Sequence, residues 1–311
     1  MSRIFLNQNY RLFKVRPLPK VLDEQLPDSD SYVSSIVDTL CNDEYGDNPF
    51  LTDLKRQLAS TILTNEMYKT ENLTAAASSL IPLNSRLYSN GRSTNDKLNI
   101  VEILHNLRLR KKINHVIYDQ VKIKVGHLRF QFLDLIPVQI FIFIEIEPTE
   151  VLLLTKALPK MQNVIAHYLV NQLGCLFEPL KLSDEFLRST VDTSVKLANR
   201  HEDIGGMELM FSSIQTKGNA LNSIALNVES QDIAKFMDRK GFMHNICEYM
   251  QTETSIDFSQ LALTRLRSEL FLLGADGRLR LSSLLSFRSD PEKFADDRPT
   301  IWALLMLLYR Q

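Results

Sequence analysis

The sequence has few glycines and lacks the short motifs that mark common catalytic sites. Ten glycines occur in 311 residues, which is sparse for a chain built around glycine-rich nucleotide-binding loops. The patterns GxSxG, HExxH, GxGxxG and CxxC, which place a nucleophile, metal ligands or a phosphate cradle, are all absent. We therefore expect a protein that is not an enzyme and that binds no cofactor or small-molecule substrate.

Cysteine, net charge and long apolar runs are also scarce. The three cysteines, Cys41, Cys175 and Cys247, are odd in number and widely spaced, which suits a reducing compartment. A net charge of −1 gives no overall attraction to nucleic acid or to membranes. The most apolar runs, IFIFIEI and IWALLMLLY, are far shorter than the roughly 20 residues that span a bilayer. We expect a soluble intracellular protein.

Isolated histidines and cysteines do not assemble into a recognisable site. His244 and Cys247 have H-x-x-C spacing, but no second pair follows at the distance that a zinc site needs. Cys175 follows His167 by eight residues, a separation that predicts no contact between them. We interpret these residues as structural and expect no metal site.

Charge is divided unevenly along the chain. Residues 21–53 contain acids but no lysine or arginine, whereas residues 108–129 are strongly basic. Each block is either a solvated surface or, for the basic one, a patch that meets phosphates or an acidic partner. The opposite signs also suggest that the acidic segment masks the basic one. The DNA-facing candidates are Arg108, Arg110, Lys111, Lys112, Lys122 and Lys124.

The first third of the chain is predicted to be mostly helical or irregular. A Ser- and Asn-rich stretch at 78–96 reads as a loop, and it predicts a division into residues 1–97 and 98–311. Residues 53–80 have helical composition. The apolar spacing in KLNIVEILHNLRLRKK predicts an amphipathic helix over 97–112 that ends in basic residues.

The rest of the chain alternates between strand and helix patterns. Residues 121–135 and VQIFIFIEI, on either side of Pro137, have period-two apolar spacing and predict a hairpin. Residues 149–174 predict a helix that Pro159 breaks or kinks and Gly174 caps. Further strands are predicted at CLFEPLKL, MELMFSS and LNSIALNV. The fold class is therefore α+β, with mainly antiparallel sheets, flanking helices and a helical N-terminal part.

The C-terminal part combines helix-start signals with a hairpin. Ser183 is placed to cap a helix, and Pro299 stands near the start of a terminal one. Asp-Gly at 276–277 lies between alternating arms, so the loop GADG is a turn and not a phosphate or calcium site. The strands of this hairpin offer an edge that a partner could extend. The partner-binding candidates that form or flank this edge are Leu261, Leu263, Arg265 and Arg267.

Several separated blocks resemble the centromere protein L family of the inner kinetochore. The closing hairpin SIDFSQLALTRLRSELFLLGADGRLRLSS is similar to that family's pattern of a Leu-rich strand, Asp-Gly and alternating basic and aliphatic residues. The blocks YLVNQLGCLFEPLKLSDEFL, LNSIALNVESQDIAKF and FLNQNYRLFKVRPLPKV also resemble family segments, in the family's order.

The resemblance implies a non-catalytic scaffold in the nucleus, at the centromere and kinetochore. It implies pairing with centromere protein N through C-terminal sheets, contact with other inner-kinetochore subunits, and help in holding the centromeric nucleosome and its DNA. Two alternatives stay open at this point. The first alternative is an independent nucleic-acid-binding protein, and the second is an enzyme with an unrecognised site.

Overall fold

The computed structural model shows strands and helices in two compact units. The described residues are 8–17, 36–41, 51–52, 54–56, 58–59, 107–132, 137–147, 150–171, 173–201, 205–212, 223–282 and 299–311. One unit, here the hairpin unit, comprises Val15–Ile117 and Val121–Phe177. The other, the C-terminal unit, comprises Met1–Lys14, Tyr118–Gln120 and Glu178–Gln311. The boundary that the sequence predicts at residues 97 and 98 lies outside the described residues.

The hairpin unit contains four neighbouring strands in sequence order. They are β2 (Leu107–Tyr118), β3 (Val121–Phe132), β4 (Gln139–Glu145) and β5 (Val151–Lys156). The pairs β3–β4 and β4–β5 are antiparallel, with Ile142 opposite both His127 and Leu154. Every residue of β4 is buried, so this strand is covered on both of its faces. The hairpin predicted around Pro137 is confirmed.

The hairpin unit also contains one helix that precedes β2 in the sequence and one that follows β5. Helix α1 (Ile36–Cys41) packs on β3 at Gly126, where an added Cβ would lie 2.8 Å from both Cys41 Sγ and Val37 Cγ1. Only a residue without a side chain permits this close approach. Helix α2 (Pro159–Asn171) buries Met161, Ile165 and Leu169, which recur every fourth residue on one face. Strand β6 (Cys175–Pro179) follows it.

The C-terminal unit is a sheet with helices packed against it. Its strand order begins with the first part of β1 (Gln8–Pro17). It continues with β11 (Arg278–Leu281), β10 (Phe271–Gly274), β9 (Ala262–Ser268), β7 (Met207–Ser212) and β8 (Ser223–Val228). All pairs in this series with a defined register are antiparallel.

The helices of this unit follow the predicted positions. Helix α3 (Asp184–His201) packs on β9, and α6 (Pro299–Arg310) packs on α3. Helix α4 (Ser230–Ile233) continues into a 3₁₀ turn, Ala234–Phe236, and a second such turn, Phe258–Gln260, follows α5 (Phe242–Thr254). The predicted cap of α3 is confirmed, because the Phe186 amide donates to Ser183 Oγ at 3.1 Å.

An apolar row of side chains crosses six strands of this sheet in register. Its members from β8 to β1 are Leu226, Leu209, Leu266, Leu273, Leu279 and Tyr10. All except Leu226 are buried, and each buried leucine contributes about 2 kcal/mol relative to exposure. The adjacent row, on the opposite face, is Asn227, Glu208, Arg267, Leu272, Arg280 and Asn9. One face of the sheet is therefore core and the other meets solvent.

The loop GADG is a hairpin turn, as the Asp-Gly pattern predicts. The Gly277 amide donates to the Gly274 carbonyl at 2.9 Å, and Gly277 has φ +75°. A type I turn followed by a left-handed glycine is a common three-residue hairpin loop.

Three secondary-structure predictions are wrong. Residues 107–112 belong to strand β2 and not to a helix, and alternate burial along Leu107–Lys112 shows the period of two. Residues 151–156 form the buried strand β5, so Pro159 begins α2 and does not interrupt it. The N-terminal part is not simply helical, because Gln8–Pro17 is a strand. Of the helix expected over 53–80, residues 54–56 and 58–59 are described and are helical. The rest of that stretch and the loop at 78–96 lie outside the described residues.

Candidate nucleic-acid and partner surfaces

The six basic candidates of the β2–β3 hairpin do not share one face. Asp119 and Gln120 both have positive φ and form a two-residue turn, which sets the register of the two arms. That register places Lys112 opposite His127 and Arg110 opposite Arg129. Arg108, Arg110 and Lys112 therefore project on one face, and Lys111, Lys122 and Lys124 on the other.

The first face carries a cation cluster that we call the basic face. It consists of Arg108, Arg110, Lys112 and Arg129. The first three side chains are exposed, whereas Arg129 is partly buried and donates from Nη2 to Gln131 Oε1 at 3.3 Å. The Nε of Arg129 is buried without a partner. Arg129 is the last residue of the basic block 108–129 but not one of the predicted DNA-facing candidates, and strand pairing rather than chain order joins it to the other three.

A buried histidine reports the electrostatics of the basic face. The pKa of His127 is lowered from 6.5 to about 4, first by burial of the imidazole and then by the charges of Arg129 and Lys112. His127 is therefore neutral at physiological pH. The charge that the face presents comes from the lysine and the arginines.

The opposite face of the hairpin is partly covered by α1. Lys124 forms an ion pair with Asp38 of that helix, whereas Lys122 is exposed. Asp38 belongs to the acidic segment 21–53, so one acid of that segment does meet one lysine of the basic block. The helix is held by Val37, Leu40 and Cys41, which are all buried. Helix α1 is thus part of the core, and displacing it as a mask would expose these side chains.

Strand β9, which carries the partner-binding candidates, is not an edge. It pairs with β10 on one side and with β7 on the other. Arg265 and Arg267 project from the solvent face, whereas Leu263 is buried on the core face. The register of β9 against β7 shifts between Met210 and Phe211, so the side chains before and after this shift follow different in–out alternations. Leu261, Leu263, Arg265 and Arg267 therefore do not themselves form a free edge in the described sheet, and their part in partner binding stays a prediction.

Side chains of α3 form hydrogen bonds with the backbone just before and at the start of β9. Asp184 at the start of α3 accepts the Leu263 amide at 2.6 Å and pairs with Arg188 Nε at 2.8 Å. Arg188 Nη2 donates to the carbonyls of Leu261, at 2.6 Å, and Phe258, at 3.0 Å. Leu261 and Leu263 are thus held by α3 and have structural contacts.

Among the described residues, the outermost strand of the C-terminal sheet is β8. It pairs with β7, and Ile224 and Leu226 lie on the core face opposite Phe211 and Leu209. Phe211 and Leu209 are fully buried, but Ile224 and Leu226 stay partly exposed. The six residues SIALNV contain no charge and no proline, which are the usual protections of an edge.

The chemistry of the described side chains is not that of a metal or thiol site. Within the described ranges, no group of three or more His, Cys, Asp or Glu residues could hold a metal ion. Burial is the main cause that raises the pKa of the Cys175 and Cys247 thiols, which disfavours the reactive thiolate. His244 lies 3.5 Å from Glu248, one turn along α5.

Helices long and apolar enough to cross a membrane do not occur in the described part of the chain.

Comparison with known proteins identifies the family. No curated protein matches the chain. The family model for centromere protein L matches residues 151–311, which is more than half of the chain and includes all of β5 to β11. Proteins of this family are non-catalytic subunits of the inner kinetochore. The chain therefore belongs to the centromere protein L family and is a nuclear, centromeric structural protein of the kinetochore, not an enzyme.

Proposed function

We propose that this chain pairs with centromere protein N through strand β8 and helps to anchor the centromere-associated network to nucleosomal DNA through the basic face. The observation that carries the DNA part is the gathering of four cations on one side of a rigid hairpin. All six predicted cations remain candidates, and the geometry favours Arg108, Arg110 and Lys112 over Lys111, Lys122 and Lys124.

The basic face suits phosphates more than bases. Arg108, Arg110 and Lys112 alternate along one strand, so their α-carbons are about 7 Å apart, which is about twice the 3.4 Å of helix axis per phosphate of one DNA strand. Their side chains are exposed and project from a strand, where they keep a fixed register. No helix for the major groove lies in this part of the described chain. Such a surface contributes affinity and position without reading sequence.

We expect the triple variant Arg108→Gln, Arg110→Gln, Lys112→Gln to weaken binding of duplex DNA by the assembled pair. Each lost phosphate contact lowers the slope of log K against log salt by about 0.9, so the slope should fall by about 2 to 3. Fluorescence anisotropy across a salt series measures both quantities. Bound phosphates would also offset the cationic field at His127, so DNA should raise the pKa of His127 in an NMR titration.

The matched control is Lys122→Gln, which removes one exposed cation from the opposite face of the same hairpin. We expect its affinity and salt slope to stay close to those of the parent. If Lys122→Gln lowers the affinity and the salt slope as much per removed charge as the triple variant does, DNA binding would not be confined to the basic face. An unchanged slope in the triple variant, with no change at His127, would remove the basic face from DNA binding.

The same measurement on the lone chain distinguishes a second function. The basic face also favours an independent nucleic-acid-binding protein, although the net charge of −1 opposes strong binding by the chain alone. Binding of the lone chain as tight as that of the pair would support the independent function. Binding that needs the pair supports the scaffold.

The pairing part of the proposal rests on β8. A strand added beside β8 would bond the backbone groups on its outer side, which pair with no described strand, and would cover the exposed parts of Ile224 and Leu226. The apolar row that crosses the sheet would then continue into the partner. This mode needs no residue of β9. The half-buried Arg265 and the exposed Arg267 would contact the partner only if the partner also covers the solvent face of the sheet.

We expect Leu226→Lys to reduce pairing with centromere protein N at least tenfold, because a charge on the core face of an edge strand opposes strand addition. Asn227→Lys is the matched control, since it adds the same charge to the same strand on the solvent face. Analytical size-exclusion chromatography and titration calorimetry report the pairing, and circular dichroism reports folding. Normal pairing by a folded Leu226→Lys variant, or equal loss in both variants, would refute pairing through β8.

A further inference from the structure

The solvent face of the C-terminal sheet concentrates arginine. On the strands, the described residues of this face carry one acid, Glu208, and five arginines, here called the arginine face. They are Arg11, Arg265, Arg267, Arg278 and Arg280. Arg11 and Arg278 lie directly opposite each other on β1 and β11. Like charges directly opposite each other across strands are unfavourable unless counter-ions offset them.

Two described carboxylates, Glu208 and Asp276, pair with three of these five arginines. Glu208 lies 2.8 Å from Arg265 and 3.5 Å from Arg267, so one carboxylate serves two guanidinium groups. Asp276 of the turn pairs with Arg278 at 2.8 Å. Arg280 is exposed and makes no ion pair with any described residue. The described face thus has guanidinium groups available for an external anion.

A trough runs along β10 between two arginine pairs. On this face β10 presents only Leu272 and Gly274, which lie opposite Arg267 and Arg265 of β9. On the other side of β10, Leu272 lies opposite Arg280 of β11. The flanking strands are about 10 Å apart, twice the spacing of neighbouring strands. A low, partly apolar floor is therefore bordered by guanidinium groups on both sides.

One end of the trough opens into a cleft of about 560 Å³, a volume in the usual range for ligand sites. Its lining includes Arg267, Leu272 and Arg280, and also the carboxylates Glu208, Glu229 and Glu269. These acids stand at the β7–β8 side and at the strand ends. Charge along the trough therefore changes from basic to mixed, which gives a bound chain a preferred direction.

We propose that the arginine face binds an extended acidic segment of a partner protein that lies along β10. Arginines recur at every second residue on β9 and β11, a repeat of about 7 Å that matches alternate side chains of an extended peptide. Planar guanidinium groups bind carboxylates through two parallel hydrogen bonds. Leu272 supplies apolar contact to the intervening side chain.

The same features disfavour nucleic acid on this face. The described residues of the arginine face include no aromatic ring on which a base could stack. The surface is distinct from the basic face of the β2–β3 hairpin, which belongs to the other unit.

The proposal goes beyond pairing at β8 and is tested separately, with the full chain and no partner. The probe is a fluorescein-labelled decapeptide of alternating Glu and Thr, measured by anisotropy at low ionic strength. We expect binding that Arg267→Gln with Arg280→Gln weakens at least tenfold, because both positions are exposed and border the trough. Arg239→Gln, an exposed arginine after α4, is the matched control and should leave binding unchanged.

Two further measurements define the ligand. Arg280→Lys keeps the charge but loses the two-pronged donor, so it should restore only part of the affinity. A decapeptide of alternating Gln and Thr should not bind. The proposal is overturned if the acidic peptide fails to bind the parent chain, or if the double variant binds it normally. It is also overturned if single-stranded DNA binds the same residues with equal affinity, since the face would then be a general polyanion surface.

Discussion

Alanine in place of Gly277 is expected to lower the free energy of unfolding of the C-terminal unit by about 3 to 4 kcal/mol. The φ of +75° at this position alone costs a residue with a Cβ about 1 to 2 kcal/mol. The new Cβ would lie 2.2 Å from the Leu180 carbonyl oxygen, which is backbone and cannot rotate away. The segment after β6 would have to move.

That movement would break contacts that hold the turn in place. The Leu12 amide donates to the Gly277 carbonyl at 2.9 Å, and the Leu182 amide donates to the Ala275 carbonyl at 2.9 Å. Each such bond is worth about 1 kcal/mol net. The GADG turn is therefore also a junction that joins β1 and the segment before α3 to the closing hairpin.

Thermal unfolding monitored by circular dichroism measures the effect, with Gly206→Ala as the matched control. Gly206 has no positive φ, is exposed, and would place its Cβ 3.4 Å from the Val228 carbonyl oxygen. We expect the control to change stability by less than about 1 kcal/mol. A Gly277→Ala variant as stable as the control would show that the loop relaxes without cost.

Local patterns predicted those elements whose signals lie within a few residues. Ser183 before an acidic first turn predicted the start of α3, and Asp-Gly between alternating arms predicted the β10–β11 hairpin. Alternation in residues 121–135 predicted β3. In each example one short stretch contains both the apolar period and the turn or cap residue, so no distant contact is needed to decide.

The errors lie where the apolar pattern fits two structures. In β5, Val151–Lys156 is buried throughout, and a continuous apolar run does not show whether its period is two or near four. Leucines that precede β2 have helical spacing, so the apolar pattern predicts a helix that continues into β2. There, however, basic residues alternate with leucines from Leu107 onward. The strand identity of both segments follows from pairing of β2 with β3 and of β5 with β4, which the apolar pattern within each segment does not show.

The candidate surfaces were predicted by composition but not by geometry. The basic run of residues 108–129 was recognised, yet only the two-residue turn at Asp119 divides its cations between two faces. Glu208, whose single carboxylate faces Arg265 and Arg267, is about 60 residues from them in the sequence, and strand pairing alone brings it there. The outermost position of β8 likewise depends on the order of strands, which a sequence pattern does not specify.

Removal of the Arg188 guanidinium is expected to destabilise the C-terminal unit almost as much as Gly277→Ala does. Arg188 is largely buried, with 18% of its side chain exposed, and it joins α3 to the start of β9. It also lies 5.6 Å from the centre of the Phe211 ring, which packs edge-on against Phe258. Arg188→Ala would leave Asp184 and two backbone carbonyls without their donor, at an expected cost of about 3 kcal/mol.

Chemical unfolding of the full chain measures this loss, and two variants test its cause. Arg188→Lys should recover only part of the stability, because an ammonium group lacks the planar fork that reaches Asp184 and both carbonyls together. Lys235→Ala breaks an exposed ion pair with Asp232 and should have no measurable effect. If Arg188→Lys matches the parent, charge alone accounts for the contact. If Arg188→Ala matches it, the start of β9 is held by its strand neighbours, and the network from α3 contributes little to the stability of this sheet.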